Sequence, residues 1–395
     1  MKLAIFTESI FHLSQGGRLY SPICQFIPFI VPLSEKFEKL TIASRHKKNV
    51  IPPNDINYID FNERREFVGL PYYKSSEDFY IRSLYLVPKC LPILKRVINV
   101  NDVILLRIHH PMAAIIARIS KNRGKPFVLY WAGPLITDLI RQNYPGRSIR
   151  GCAAKMIGKL HQNSYRNLAR HASMNLFIDA SEYKTMGSPE KTRWVVPNLV
   201  SEGDLTNQVK PRNDKILKVV FVGRLYRHKG IYDLLEAIKY LLQDNIQVKL
   251  HIVGDGPERE NLENIVKKFV LSEHIIFYGN LAHAAVQKLM AQSHVMALPS
   301  YAEGLPKVLW EAWAKCLAVV MTDVGSISYY VKDQYNGLIV KAGKAGDLAN
   351  AIKLLERDDE FRIKLAERGH VLAMEHTWKN EIENIAYAIN EVACS

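Results

Sequence analysis

The sequence predicts an α/β fold of two doubly wound, Rossmann-like domains, and three observations carry that expectation. Strand-length apolar runs alternate with helical stretches through both halves of the chain, an alternation that implies parallel sheets covered by helices. Val103-Ile104-Leu105-Leu106 in the first half and Val219-Val220-Phe221-Val222 in the second are continuous apolar runs, as strands buried on both faces require. With 395 residues there is room for two domains, and the polar run from Asn207 to Lys215 reads as the linker between them.

Lys2 to Thr7 is the first strand, stopping at Glu8, and Gly16-Gly17 follows ahead of Leu19. A strand, a glycine pair and a helix start make a half-site for an anion. Leu40 to Ser44 and Asn57 to Phe61 are further short strands, and Asp102 to Ile108 is the clearest of the first half. Pro111 to Lys121 reads as a helix with Met112, Ile115, Ile116 and Ile119 on one stripe, and Pro126 to Trp131 is the next strand. In such a sheet ligands gather at the carboxyl ends of the strands. There stand His109, His110, Trp131 and Asp138, which together with Gly16 of the first loop are candidates for an acceptor or cleft role. Gly151 to His171 has helical spacing, its Met156, Leu160 and Leu168 separated by Lys155, Lys159, Arg166 and Arg170. Such a basic amphipathic helix suits a membrane surface. Asn175 to Ala180 and the stretch around Trp194 close the first half as strands.

The second half repeats the alternation: strands at 217–222, 248–253, 275–278, 295–299 and 318–322, a helix from Gly230 through Leu242, and late helices at 347–355 and 381–392. Its chemistry centres on Ser300 to Ala314, where a strand passes into a helix expected to start near Pro306, since proline suits a first helical turn. Glu303 lies at the tip of that loop and Glu311 inside the helix, while Gly304 lets backbone approach a ligand closely. Unpaired N–H groups at such a helix start invite an anion such as a diphosphate. Upstream, Gly223-Arg224-Leu225 and Lys229-Gly230 follow a buried strand, and Gly254-Asp255-Gly256-Pro257 follows another. Arg224 offers a planar fork to phosphate oxygens and Lys229 a point charge. Arg259 stands where the third glycine of a dinucleotide fingerprint belongs, which argues against a nicotinamide cofactor.

In order and spacing these motifs resemble the nucleotide-sugar half of the retaining GT-B glycosyltransferases of family 4, the glycosyl transferases group 1 of bacterial polysaccharide biosynthesis. The resemblance runs over roughly residues 216–340 and implies a GT-B fold, two Rossmann-like domains with a cleft between them. It implies an acceptor-side domain at 1–205, a nucleotide-sugar domain at 206–376, and a helix at 377–395 crossing back to the first. By the same resemblance Glu303, Arg224 and Lys229 are catalytic. Gly17, Gly223, Gly304, Leu305, Pro306, Val308 and Glu311 join Arg224 and Lys229 in holding a UDP-sugar or GDP-sugar, Glu303 facing the sugar hydroxyls and Glu311 the ribose. The family's usual histidine is missing at Trp131-Ala132-Gly133. Asp323-Val324-Gly325-Ser326 departs from the usual Gly-Gly-x-Pro-Glu, and Cys316-Leu317-Ala318 from Gly-x-Pro. No Asp-x-Asp occurs, so cations and helix dipoles, with no metal and no cofactor, are expected to neutralise the leaving diphosphate.

Charge narrows the partners. Residues 1–200 carry 29 Lys+Arg against 14 Asp+Glu, a net of +15, and residues 201–395 carry 24 against 25. The excess concentrates in Arg141, Arg147, Arg150, Lys155, Lys159, Arg166 and Arg170, a stretch without one acid. Phosphates of an anionic membrane surface or of nucleic acid suit such a patch, but no helix-turn-helix, zinc-finger or aromatic RNP pattern supports nucleic acid. Five scattered cysteines without a Cys-x-x-Cys pair suggest neither a disulfide framework nor zinc, and point to a reducing cytosol. No signal peptide or spanning segment is expected. The partners expected are therefore a nucleotide-sugar, a lipid-linked or soluble glycan acceptor and the inner face of the cytoplasmic membrane. A GT-B epimerase or phosphorylase remains the alternative, since spacing alone does not exclude a lysine placed for pyridoxal.

Overall fold

The computed structural model describes residues 1–13, 18–21, 27–48, 58–131, 149–196, 200–206 and 215–394. Two compact units divide the chain: Met1–Val196 with Glu381–Ser395, and Pro197–Asn380.

In the first unit the strands are β1 Lys2–Leu13, β2 Leu19–Tyr20, β3 Lys39–Lys48, β4 Tyr58–Ile59, β5 Arg65–Leu70, β6 Val103–Ile108, β7 Phe127–Trp131, β8 Met174–Phe177 and β9 Thr192–Trp194. Along the sheet β5, β3, β1, β6, β7, β8 and β9 run parallel, and only the short β2 and β4 are antiparallel. The order reverses between β1 and β6, the crevice where such sheets bind ligands. β1 runs beyond Glu8, where the apolar pattern ends. Past an irregularity, Phe11–Leu13 pair with His46–Lys48, and His12 and Leu13 pair with β2. The polar residues at that point have partners: Ser76 Oγ donates to the Glu8 carboxylate at 2.5 Å, and Arg45 Nε donates to the Glu8 carbonyl at 2.8 Å. The helix Ser83–Val100 holds both Pro88 and Pro92, and it forms because its other face buries Leu86, Cys90, Leu94, Val97 and Ile98.

The second unit has one six-stranded parallel sheet of β10 Leu217–Val222, β11 Val248–Val253, β12 Ile275–Gly279, β13 Val295–Leu298, β14 Ala318–Thr322 and β15 Leu338–Val340. Its order is β12-β11-β10-β13-β14-β15, the dinucleotide-fold order with its switch point between β10 and β13. β10, β11 and β14 occupy the residues predicted for them.

The division between units falls at Val196/Pro197, upstream of the polar run expected to mark it. Residues 200–206 belong with the second unit because their backbone is tied there: Thr206 N–H donates to the Ala314 carbonyl at 2.9 Å and Trp378 N–H to the Val200 carbonyl at 2.9 Å. The linker residues 207–214 lie outside the described residues. At the other end the helix Trp378–Cys394 carries the chain back into the first unit from Glu381 onward. Glu381 accepts the Val196 N–H at 2.9 Å, and Asn384 donates to the Trp194 carbonyl at 3.1 Å, which closes the edge beside β9.

One departure from the family pattern falls where the backbone conformation favours glycine. Cys316 holds φ +56°, the left-handed conformation that glycine adopts most easily, and its buried thiol lies 3.8 Å from the Thr206 carbonyl. Packing holds a side chain there. Burial pushes that thiol up to about 11.

Candidate active site

The second unit's switch point assembles a site from two loops. After β10 the chain passes Gly223 and Arg224, makes the tight turn Arg227–Lys229, and enters the helix Ile231–Gln243 through Gly230 at φ +69°. After β13 it passes Pro299 and Ser300 to Glu303, then the helix Lys307–Ala314. Tyr301 N–H donates to the His228 carbonyl at 2.7 Å, which binds the two loops together. A Cβ on Gly230 would stand 1.9 Å from the Pro299 carbonyl oxygen, so only glycine permits this approach.

Across that junction Lys229 Nζ meets Glu303 Oε1 at 2.5 Å, with side-chain exposures of 19% and 10%. Ser300 Oγ donates to the same oxygen at 2.8 Å. A third loop supports Glu303 from below. Gly325, at φ +62°, lies so close that a Cβ would fall 2.0 Å from the Glu303 carbonyl oxygen, and Ser326 N–H donates to the Gly304 carbonyl at 3.0 Å. The loop that departs from the family pattern thus keeps a glycine where the contact demands one.

Arg224 is exposed, its guanidinium 4.8 Å from the centre of the Tyr226 ring, and no acidic residue pairs with it among the described residues. That contact orients the planar fork while leaving its N–H donors for a ligand. Gly223 keeps the sheet's spacing by donating to the Val253 carbonyl at 3.0 Å.

The helix begins at Lys307, one residue later than expected, with Pro306 as its extended N-cap at φ −72°, ψ 120°. The proline makes no side-chain cap at that helix start. Gly304 is exposed, and Leu305 and Val308 are half-buried around that start. Glu311 is half-buried on the same helix, and no ion pair or side-chain hydrogen bond holds its carboxylate among the described residues. Burial raises its pKa, His283 and Lys307 oppose the rise, and Asp204 adds to it. The helix is seated by Trp310 and Trp313, both fully buried, with Gly369 under the Trp313 ring.

In the first unit two of the candidates belong to the core. Trp131 is fully buried, stacked on Phe177 at 5.0 Å and donating to Asn175 Oδ1 at 3.0 Å, so it offers nothing to a ligand. His110 is 1% exposed, and its Nδ1 accepts the Met112 N–H at 3.2 Å. Burial, then the nearby Arg45, pushes its pKa down to about 3, so it stays neutral as an internal cap. His109 is the candidate that reaches a chemical partner, its Nε2 lying 3.6 Å from Glu182 Oε1. Gly16, Gly17 and Asp138 lie outside the described residues, as do Arg141 and Arg147.

Glu182 was not legible as a site residue. It is 2% exposed, and burial, reinforced by Asp179, pushes its pKa up to about 8. The folded chain therefore holds a proton that the unfolded chain releases near the ordinary 4.5, and its contribution to stability falls as pH rises from there towards 8. In calorimetry, Glu182→Gln is expected to flatten the decline in melting temperature that the parent shows across that window. Equal slopes would mean that the carboxyl titrates as if in water.

Ser300 and Tyr226 were also missed as site residues. Both lie within three residues of a named one, but a serine or tyrosine at that distance carries no signal of its own.

Residues 204–371 match the family model described as glycosyl transferases group 1. A lipopolysaccharide core biosynthesis glycosyltransferase of Rhizobium meliloti is 34% identical over 152 residues, 38% of this chain and 43% of that protein. A putative teichuronic acid biosynthesis glycosyltransferase of Bacillus subtilis is 37% identical over 149 residues, 38% of this chain and 35% of that protein. The chain thus spans less than half the length of these two curated relatives. Over whole chains, the crystal structure of Anabaena HepE in complex with UDP superposes with a TM-score of 0.68 at 16% identity, covering 99% of this chain and 100% of that one. The fold is GT-B.

Proposed function

From the match of residues 204–371 to the glycosyl transferases group 1 model and the GT-B fold of the chain, we propose that the protein is a retaining, metal-independent glycosyltransferase. It moves a sugar from UDP or GDP to a growing glycan. The observation that carries this reading is the meeting of Lys229 and Glu303 beside Arg224 at the switch point of the second unit's sheet.

As the bond from the anomeric carbon to the phosphate oxygen breaks, negative charge develops on the departing diphosphate. Arg224, Lys229 and the N–H groups at the start of the Lys307 helix stabilise that charge. Glu303 receives sugar hydroxyls and Glu311 the ribose hydroxyls, each carboxylate able to accept two hydrogen bonds. The acceptor proposed is a lipid-linked intermediate of surface polysaccharide, an O-antigen, capsule or exopolysaccharide, met at the inner face of the cytoplasmic membrane. The names of the two relatives support it, as does the +15 of residues 1–200. Among the described residues no helix is long and apolar enough to cross a membrane.

A screen of UDP- and GDP-sugars by nucleotide release tests the reading. Release is expected with one donor class, whereas a phosphorylase of this fold would release none. Turnover is expected to persist in excess chelator, because the sequence has no Asp-x-Asp to hold a metal. Complete loss, restored by magnesium or manganese, would overturn that part.

A further inference from the structure

We propose that the first unit carries an interfacial docking surface, on the turn joining the helices Ser76–Ile81 and Ser83–Val100 and on the helix Ile149–His171 beside it. Its occupant is an anionic bilayer. The proposal deepens the reading of a membrane-borne acceptor, but vesicle binding is measured without donor or acceptor, so the two fail separately.

Large apolar side chains on these three helices and the turn are left in water. Leu84 is 95% exposed, Ile81 78%, Leu160 63%, Tyr85 55% and Tyr80 42%. Tyr80 packs its ring 5.1 Å from that of His161, which brings Leu160's helix beside the turn. Leu84 and Tyr85 lie off the buried stripe of their helix, so folding of this unit does not cover them. Exposed apolar groups gathered in this way mark a surface that meets something.

Apart from Glu77 and Asp78 on the helix Ser76–Ile81, the latter paired with Arg82 at 3.3 Å, the charge around them is basic and selects the partner. The helix Ser83–Val100 contains no acid and exposes Lys89, Lys95 and Arg96. The helix Ile149–His171 contains no acid either, and exposes Lys159 and Arg170. Arg166, by contrast, is committed to the Thr185 carbonyl at 2.7 Å. Leucine and isoleucine enter the acyl boundary, tyrosine suits the headgroup layer, and long cations reach phosphates around the rim. A basic patch alone would be stripped by salt, whereas this surface adds an apolar component that salt does not screen.

Sedimentation with phosphatidylcholine vesicles, with and without phosphatidylglycerol, decides it. The wild type is expected to need the anionic lipid and to keep part of its binding at raised salt. Ile81→Ser/Leu84→Ser/Leu160→Ser is expected to bind at least about tenfold more weakly and to lose the salt-resistant part. Its melting temperature should not change, because the three side chains are exposed; if it does, Leu84→Ser alone gives the same reading with a smaller loss. Equal binding by parent and variant, or equal binding to neutral vesicles, overturns the proposal. So does a dimer in solution that the same substitutions dissociate, which would make a second copy the occupant.

Discussion

Lys229→Ala and Arg224→Ala are each expected to weaken binding of the nucleotide donor by about 1.5–3 kcal/mol, the worth of a charge-assisted contact. That is roughly ten- to a hundredfold or more in affinity. Lys229 also has a competitor. Its ammonium is already held by Glu303 at 2.5 Å in a largely buried pair, so an incoming diphosphate must draw it away. Glu303→Gln is therefore expected to act in two directions, slowing transfer while tightening the bare nucleoside diphosphate. Calorimetry with UDP and GDP separates the cases. Unchanged affinity for both nucleotides in the Lys229 and Arg224 variants would remove the donor site from this loop pair. A Glu303→Gln variant that binds the diphosphate no better than the parent would show that the ion pair does not compete.

The second large effect is expected at Gly230. A methyl group there would stand 1.9 Å from the Pro299 carbonyl oxygen, in a residue at φ +69°. Overpacking against backbone and a left-handed non-glycine residue each cost about 1–3 kcal/mol. Gly230→Ala should thus lower the melting temperature of the second unit markedly and spread the β10 and β13 loops, with loss of donor binding. Gly346→Ala is the control. It lies in the first turn of the helix Ala345–Arg357 with nothing within 4 Å of the added carbon, and is expected to be neutral or slightly stabilising. Equal effects of the two substitutions would mean that the Gly230 contact is not tight.

Strands buried on both faces were the most legible elements, because a parallel sheet covered by helices demands an unbroken apolar run that needs no partner to be recognised. β14 and the Val219–Val222 stretch of β10 are such runs. Where local pattern and packing disagree, packing decides. Pro88 and Pro92 argue against a helix over Ser83–Val100, yet its buried stripe imposes one, and Glu8 ends an apolar run without ending its strand. At the candidate site the residue types were legible but their surroundings were not. Trp131 and His110 stand at strand ends as ligand contacts do, and both turn into the core.

The sequence by itself determined the two α/β halves, the basic excess of the first, and the glycines, cations and carboxylates at the ends of the second half's strands. All of these are properties of neighbouring residues. Which side chain meets which was decided by tertiary structure alone. Lys229 and Glu303 lie 74 residues apart and touch because the sheet order puts β10 beside β13. Glu182 holds its proton because the helix after β8 places it out of water beside Asp179. Pairings of that kind depend on strand order and burial, which bring distant stretches together by the free energy of the whole sheet, and no local spacing encodes them.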